Sequence, residues 1–157
     1  MKNIVLLAGS LCFYLVGTIR HPAGFIILLI SILLDFYAGI LMEKFPLYKK
    51  LFFATAVCFH VLCLFTFKYA GFVISELNRL SGLDAAVSLT LPIGISFYTF
   101  QGISYLVDIY KGKMHAEQWL VHFGIYISMF PQLIAGPIVT YGQVRNALHQ
   151  RTIRHSA

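Results

Sequence analysis

The chain has 157 residues, of which 59% are hydrophobic and only 11% are charged, and its mean hydropathy is +0.78. A soluble domain of this size has too small a core to bury so much apolar surface, so a water-soluble domain, a disordered tail and a disulfide-stapled module are excluded. The net charge of +6 is scattered singly between apolar runs, which argues against a nucleic-acid partner. The composition predicts an all-α, polytopic transmembrane bundle with the lipid bilayer around it.

About five hydrophobic segments follow one another along the chain. They cover residues 4–19, 23–42, 51 to about 67, 91–110 and 119 to about 139. Residues 71–83 instead place apolar and polar side chains on different helical faces. This pattern predicts an amphipathic helix in the membrane interface or, equally, a loop helix packed on the protein. If all five segments cross, each side of the membrane carries six Lys and Arg, so the positive-inside rule leaves the orientation open.

The second segment carries a carboxylate near its middle. Asp35 costs about 2.5–3.5 kcal/mol to insert at that depth, so such residues usually face protein or a water-filled cavity. Ser31, Asp35 and Gly39 recur at intervals of four residues and therefore share one face. Two interpretations stay open: a group that lines a substrate path, or a structural carboxyl that is protonated or hydrogen-bonded between helices.

The fourth segment carries the clearest polar pattern. Its stripe consists of Gly94, Tyr98, Gln101, Tyr105 and Asp108, at spacings of four, three, four and three residues. Such a stripe on a spanning helix is predicted to point into the protein. It serves either as interhelical glue, at about 0.6 kcal/mol per hydrogen bond, or as one wall of a tunnel for a polar substrate, and the two roles are compatible.

The fifth segment cannot be one straight helix. Pro131 and Pro137 lie six residues apart, the second directly after Gly136, and each removes a backbone donor. Broken backbone is tolerated inside a bilayer only where it is buried in protein or lines a cavity. A helix to about residue 130 followed by a kinked or re-entrant piece is therefore predicted, with Gln132 at the break. The alternative is a simple proline kink without a site.

Cysteine and histidine give no further site. Cys12, Cys58 and Cys63 all lie inside apolar runs and are predicted to be buried thiols. His60 and Cys63 are three residues apart, but further ligands are not found near them, so core packing is favoured and no metal site is predicted. The sequence contains no nucleophilic triad and no phosphate-binding glycine loop, and no bound cofactor is predicted.

Two segments look like those of a known family. The first covers residues 91–112, in which residues 91–101 read LPIGISFYTFQ and residues 104–112 read SYLVDIYKG. The second covers residues 130–138 and reads FPQLIAGPI. Together they resemble the membrane-bound O-acyltransferase family, in the bacterial branch that acetylates alginate and related exopolysaccharides or D-alanylates teichoic acid. The resemblance implies a multi-pass protein of the bacterial inner membrane. It also implies transfer of an acetyl or D-alanyl group to hydroxyls of a cell-envelope polysaccharide, with a separate protein handling the acyl donor or acceptor. The acyl donor itself is not identified.

The chain departs from the family at the expected catalytic segment. That segment is of Trp-His-Gly type, whereas the only tryptophan here, Trp119, is followed by Leu120. No catalytic residue is therefore assigned. Residues 1–157 are expected to form one membrane domain, the N-terminal third of a larger O-acyltransferase, inactive alone. The alternative is a small non-enzymatic scaffold or transporter subunit. Six residues are predicted to shape or brace the tunnel: Asp35, Tyr98, Gln101, Asp108, Gln132 and Gly136.

Overall fold

The computed structural model describes residues 2–19, 22–81, 94–128 and 141–142, and the regular elements within these ranges are all helical. In chain order they are α1 (Lys2–Gly17), α2 (Ala23–Lys44), α3 (Lys49–Ser81), α4 (Ile95–Tyr110) and α5 (Leu120–Ser128), with a short 3₁₀ turn at Pro46–Tyr48. The all-α prediction is confirmed for this part of the chain. The predicted break at residues 131–137, which includes Gln132 and Gly136, lies outside the described residues.

The second helix forms the centre of the arrangement. α2 contacts α3, α4 and α5, α4 also contacts α3 and α5, and α1 packs against α5. The tight turn at Pro46–Tyr48 reverses the chain, so α3 returns alongside α2. The ammonium of Lys49, at the start of α3, lies 5.7 Å from the ring centre of Tyr110, at the end of α4. The end of α2, the start of α3 and the end of α4 therefore lie together, and α2 and α4 run in the same direction.

The outward surface of α2 is apolar and its inward surface is partly polar. Ile26 and Ile30 are 55% and 44% exposed, whereas Asp35 is 1% exposed. In water the apolar side chains would face inward and the polar ones outward. The observed arrangement is the one that suits a helix surrounded by lipid. Two helical stretches, Ala23–Lys44 and Pro46–Tyr69, are long and apolar enough to cross a membrane. The chain is a membrane protein.

The third helix is longer than the sequence predicts. It continues without a break through residues 71–81, so the third hydrophobic segment and the amphipathic stretch are one helix and not two. The separation was wrong because no proline interrupts the stretch, and Gly71 costs a helix only about 1 kcal/mol. Placement of the last turns in the membrane interface stays a prediction.

Two lysines lie beside aromatic rings in α3. Lys49 lies over Tyr110, and Lys68 lies 5.6 Å from the ring centre of Tyr69. The 19 helical rises from Lys49 to Lys68 cover about 29 Å at 1.5 Å each, close to the roughly 30 Å of bilayer hydrocarbon. The 13 residues after Lys68 reach about 20 Å further.

The cysteine prediction is wrong for two of the three thiols. Cys12 and Cys58 are exposed, and Cys63 is half-buried. An apolar stretch of a membrane helix faces lipid as readily as protein, so an apolar setting in the sequence does not imply burial inside the molecule.

Close packing of α2 on α4 depends on a missing side chain. A Cβ atom at Gly39 would lie 2.9 Å from the hydroxyl oxygen of Tyr105 and 3.0 Å from Cδ1 of Ile109. Both neighbours are fully buried, so neither moves away freely.

At the start of α4, Gly94 has a φ of 74°, a conformation that L side chains rarely adopt.

We expect Gly39→Ala to destabilise the helix pair by about 1–3 kcal/mol, because the added methyl overpacks a filled contact. The measurement is the thermal unfolding midpoint of the purified chain in detergent. Gly71→Ala is the matched control, because no atom lies within 4 Å of its Cβ position; it should leave the midpoint unchanged or raise it. Equal midpoints for Gly39→Ala and the unmodified chain would contradict the close approach.

Candidate functional site

A buried carboxylate–imidazole pair lies at the centre of the bundle. Asp35 Oδ1 on α2 and His60 Nε2 on α3 are 2.8 Å apart, within hydrogen-bond distance. Each side chain is 1% exposed. The hydrogen bond therefore joins two helices at a depth where neither group has access to water.

The pairing follows from the depth of the two residues. Asp35 lies nine residues before the end of α2 at Lys44, and His60 lies eleven residues after the start of α3 at Lys49. At 1.5 Å per residue these are about 14 Å and 17 Å from the same turn. The sequence analysis treated His60 as core packing and did not find its partner. Asp35 and His60 are at nearly equal distances from the tight turn that joins α2 to α3, and this feature of the sequence could have paired His60 with Asp35.

The third helix of the site, α4, approaches the pair through a glycine. A Cβ atom at Gly102 would lie 2.1 Å from Asp35 Oδ2 and 3.1 Å from His60 Nε2. Any side chain here would collide with the carboxylate itself. The backbone of α4 thus lies directly on the Asp35–His60 pair, and Gly102 fixes how closely the three helices approach.

Further polar atoms lie one helical turn away at the same level. Because α2 and α4 run in parallel, Ser31, one turn before Asp35, is level with Tyr98 and Thr99, one turn before Gly102. Within the described part of the chain, the hydroxyls of these three residues have no hydrogen-bond partner, and neither do Asp35 Oδ2 and His60 Nδ1. Buried polar groups normally have partners, so this layer sets the site apart from plain helix packing.

The polar stripe predicted on α4 is found mostly in the interior. Tyr98, Gln101 and Tyr105 are 1%, 3% and 0% exposed, whereas Gly94 and Asp108 are half-buried. Apolar residues of α4 outside the stripe are partly interior too, since Ile95 and Leu106 are buried. Lipid instead meets α4 at Phe97 and Phe100, which are 37% and 51% exposed. The tunnel-bracing role of the stripe stays a prediction.

A second buried carboxylate, Glu117, was missed by the sequence analysis. One carboxylate oxygen accepts the backbone N–H groups of Gln118 and Trp119, at 3.1 and 3.0 Å, at the start of α5. The other oxygen accepts the hydroxyl of Tyr141, and the backbone N–H of Glu117 donates to the Tyr105 hydroxyl at 3.0 Å. Glu117 therefore ties the α4 stripe to α5 and to Tyr141. The sequence feature that could have identified Glu117 is its position just before an apolar helix, because a carboxylate is favourable at a helix N-terminus.

The chemistry open to this arrangement is limited. A carboxylate that holds one imidazole nitrogen leaves the other free to take a proton, as in the histidine of a general base. Acyl transfer also needs donors for the developing oxyanion. The described helices place no such donor pair beside His60. The site is thus a polar interior of a helix bundle, and no catalytic residue is assigned within it.

Comparison with known proteins gives related transferases. The chain is 41% identical over 91 residues to the probable alginate O-acetylase AlgI of Pseudomonas aeruginosa and, over the same length, to that of Azotobacter vinelandii; 55% of this chain is covered. It is 28% identical over 166 aligned positions to the peptidoglycan O-acetyltransferase of Helicobacter pylori, which cover 88% of this chain. The chain is similar to the alginate O-acetylases. The predicted resemblance to bacterial envelope-polysaccharide O-acetyltransferases is thereby confirmed.

The match covers only part of each relative. The chain spans 18% of the length of the two alginate O-acetylases and 31% of the peptidoglycan O-acetyltransferase. No family model matches the chain. No solved structure matches it either.

We expect a double-mutant cycle on Asp35→Ala and His60→Ala to show direct coupling between the two side chains. Hydrogen bonds between membrane helices couple by about 0.6 kcal/mol on average and about 1.7 at most. This fully buried pair should lie in the upper half of that range. The measurement is the unfolding free energy of the two single variants and the double variant in detergent micelles.

The matched control for this cycle replaces His60→Ala with Cys58→Ala. Cys58 lies on the same helix but is exposed, so its coupling to Asp35 should be close to zero. Strictly additive effects for Asp35 and His60, like those of the control, would show that the pair does not hold α2 to α3.

Proposed function

We propose that the chain forms part of a multi-pass enzyme of the bacterial inner membrane that transfers an acetyl group to hydroxyls of a cell-envelope polysaccharide. The single observation that carries this proposal is the 41% identity to the alginate O-acetylases over 91 residues. Both the alginate and the peptidoglycan relatives are named as acetylating enzymes, so acetyl is favoured over D-alanyl as the group transferred.

The polar interior supports the same proposal. A transferase that works inside a membrane needs a polar path between apolar helices, and buried ionisable groups in spanning segments commonly mark such paths. Here Asp35, Tyr98 and Gln101 are turned inward while Ile26, Ile30 and Phe100 face outward. We propose that the inward residues, with Asp108, Gln132 and Gly136, brace one wall of the path and do not themselves react.

The proposed topology follows from the helices. α2 and the first part of α3 are long and apolar enough to cross, and we propose that each crosses once. We propose that α1, α4 and the hydrophobic stretch that begins at Trp119 also enter the membrane, the last as a broken or re-entrant segment. In this proposal residues 1–157 correspond to the N-terminal part of the transferase, the reacting groups come from elsewhere in the enzyme, and a separate protein supplies the acyl donor or handles the acceptor.

The direct test is deletion of the gene in its native cell. We expect the envelope polysaccharide to lose most of its base-labile acetate, measured as acetate released by mild alkali from the purified polymer. The gene returned on a plasmid should restore it. Unchanged acetate in the deletion strain would overturn the transferase proposal and favour a non-enzymatic scaffold or transporter subunit.

A second test addresses the proposed wall residue. Gln101→Leu in the enzyme that carries this segment should lower acetate transfer by about ten- to a hundredfold, because loss of a buried positioning contact misplaces bound substrate. Phe100→Leu is the matched control, because Phe100 is 51% exposed, about 100° around α4 from Gln101, and should keep full activity. Protein amount in the membrane is measured for both. Full activity of Gln101→Leu at normal abundance would contradict the bracing role.

A further inference from the structure

One end of the bundle concentrates positive charge. It consists of the end of α2, the start of α3 and the end of α4 with the loop after it, which are held together by two contacts. Lys49 lies over Tyr110, and the carboxylate of Glu43 accepts the backbone N–H of Ala116 at 2.8 Å. Five lysines lie at this lysine end: Lys44, Lys49, Lys50, Lys111 and Lys113.

The acidic groups near the lysine end are Glu43, Glu117 and Asp108, and Asp108, two residues before the end of α4, is half-buried. Glu43 also lies 3.1 Å from Nδ1 of His115, and Glu117 is 3% exposed. The opposite end of α3 is different, since Lys68 and Arg79 are accompanied there by the exposed Glu76. Of the seven Lys and Arg whose side chains the structure describes, five therefore belong to the lysine end and two lie toward the other.

Aromatic side chains set the depth of these lysines. Lys44 lies over the ring of Phe45 at 5.7 Å, and Lys49 lies over Tyr110 at the same distance. The amphipathic rings of tyrosine and tryptophan favour the headgroup region, so Tyr110 indicates the level at which the ammonium of Lys49 lies. Trp119, the only tryptophan, lies just before α5 in the loop that follows α4 and is 66% exposed. It is therefore a natural probe of the lipid around this end.

We propose that the lysine end binds the phosphate headgroups of anionic phospholipids and lies on the cytoplasmic side of the membrane. The cytoplasmic leaflet attracts basic groups near its surface, and a re-entrant fifth segment, as proposed above, removes the six-to-six tie that holds only when all five segments cross. The inference is independent of the transferase activity, because it requires only that the chain lies in a membrane.

The unmodified chain itself provides the test of lipid binding. It is reconstituted in phosphatidylcholine vesicles that contain either brominated phosphatidylglycerol or brominated phosphatidylcholine, and quenching of Trp119 fluorescence is measured. We expect the anionic lipid to quench several-fold more efficiently at equal content, and the difference to shrink as salt is raised. Equal quenching by the two lipids at low salt would overturn the proposal.

A pair of charge variants locates the effect. Lys111→Gln with Lys113→Gln should remove a large part of the several-fold anionic preference, because both lysines belong to the lysine end. Lys68→Gln with Arg79→Gln removes the same charge from the opposite end and should leave the preference unchanged. A similar loss in both variants would show general attraction and not a lysine-end site. The salt dependence of the unmodified chain decides the question if either variant fails to fold.

Orientation is measured separately with two added cysteines. Leu47→Cys lies at the lysine end and Leu80→Cys near the far end of α3, where the leucines are 86% and 83% exposed. With a membrane-impermeant maleimide, Leu80→Cys should be labelled in intact spheroplasts and Leu47→Cys only in inverted vesicles. The unmodified chain gives the background from its own cysteines. The reverse labelling would overturn the cytoplasmic assignment.

Discussion

The hydrogen bond between Asp35 and His60 is the contact on which the helix arrangement depends. Lipid tails are as apolar as leucine, so burying apolar side chains between helices gives little advantage inside a bilayer. The relative positions of the helices must then be fixed by polar contacts and by close approach of their backbones. The 2.8 Å bond joins α2 to α3, and Gly102 brings the backbone of α4 onto the same pair. Three helices are thus aligned by one small polar group of atoms.

The α4 helix is held at two levels, and this determines where its polar stripe lies. Near its middle, Gly102 rests on Asp35 and His60. About one turn later, the Tyr105 hydroxyl accepts the N–H of Glu117, whose carboxylate also caps the start of α5. Gln101 and Tyr105 lie at these two contacts, so rotation of α4 is restricted and the stripe stays inside. The same two contacts explain why Phe97 and Phe100 are left facing lipid.

Much of the helical architecture could be predicted from the sequence, but the pairing of side chains could not. Long apolar runs with short polar breaks locate the helices, and helical spacing gives the inward faces of α2 and α4. His60 looked like core packing because its partner lies 25 residues earlier on another helix. Glu117 was missed because its partners, Tyr105 and Tyr141, come from distant positions. The continuous α3 was divided because the apolar third segment gives way to an amphipathic pattern, although that change of pattern does not interrupt the helix.

The depth of the Asp35–His60 pair favours a role beyond helix adhesion. In the proposed topology, Lys49 and Lys68 lie at the two membrane surfaces, about 29 Å apart along α3, and His60 lies about 17 Å from the first. The pair is therefore near the middle of the bilayer, where a carboxylate costs most to insert. Adhesion alone would be obtained at lower cost near either surface. A polar layer retained at the most expensive depth supports the proposed path for a polar substrate, and helix adhesion then follows from it.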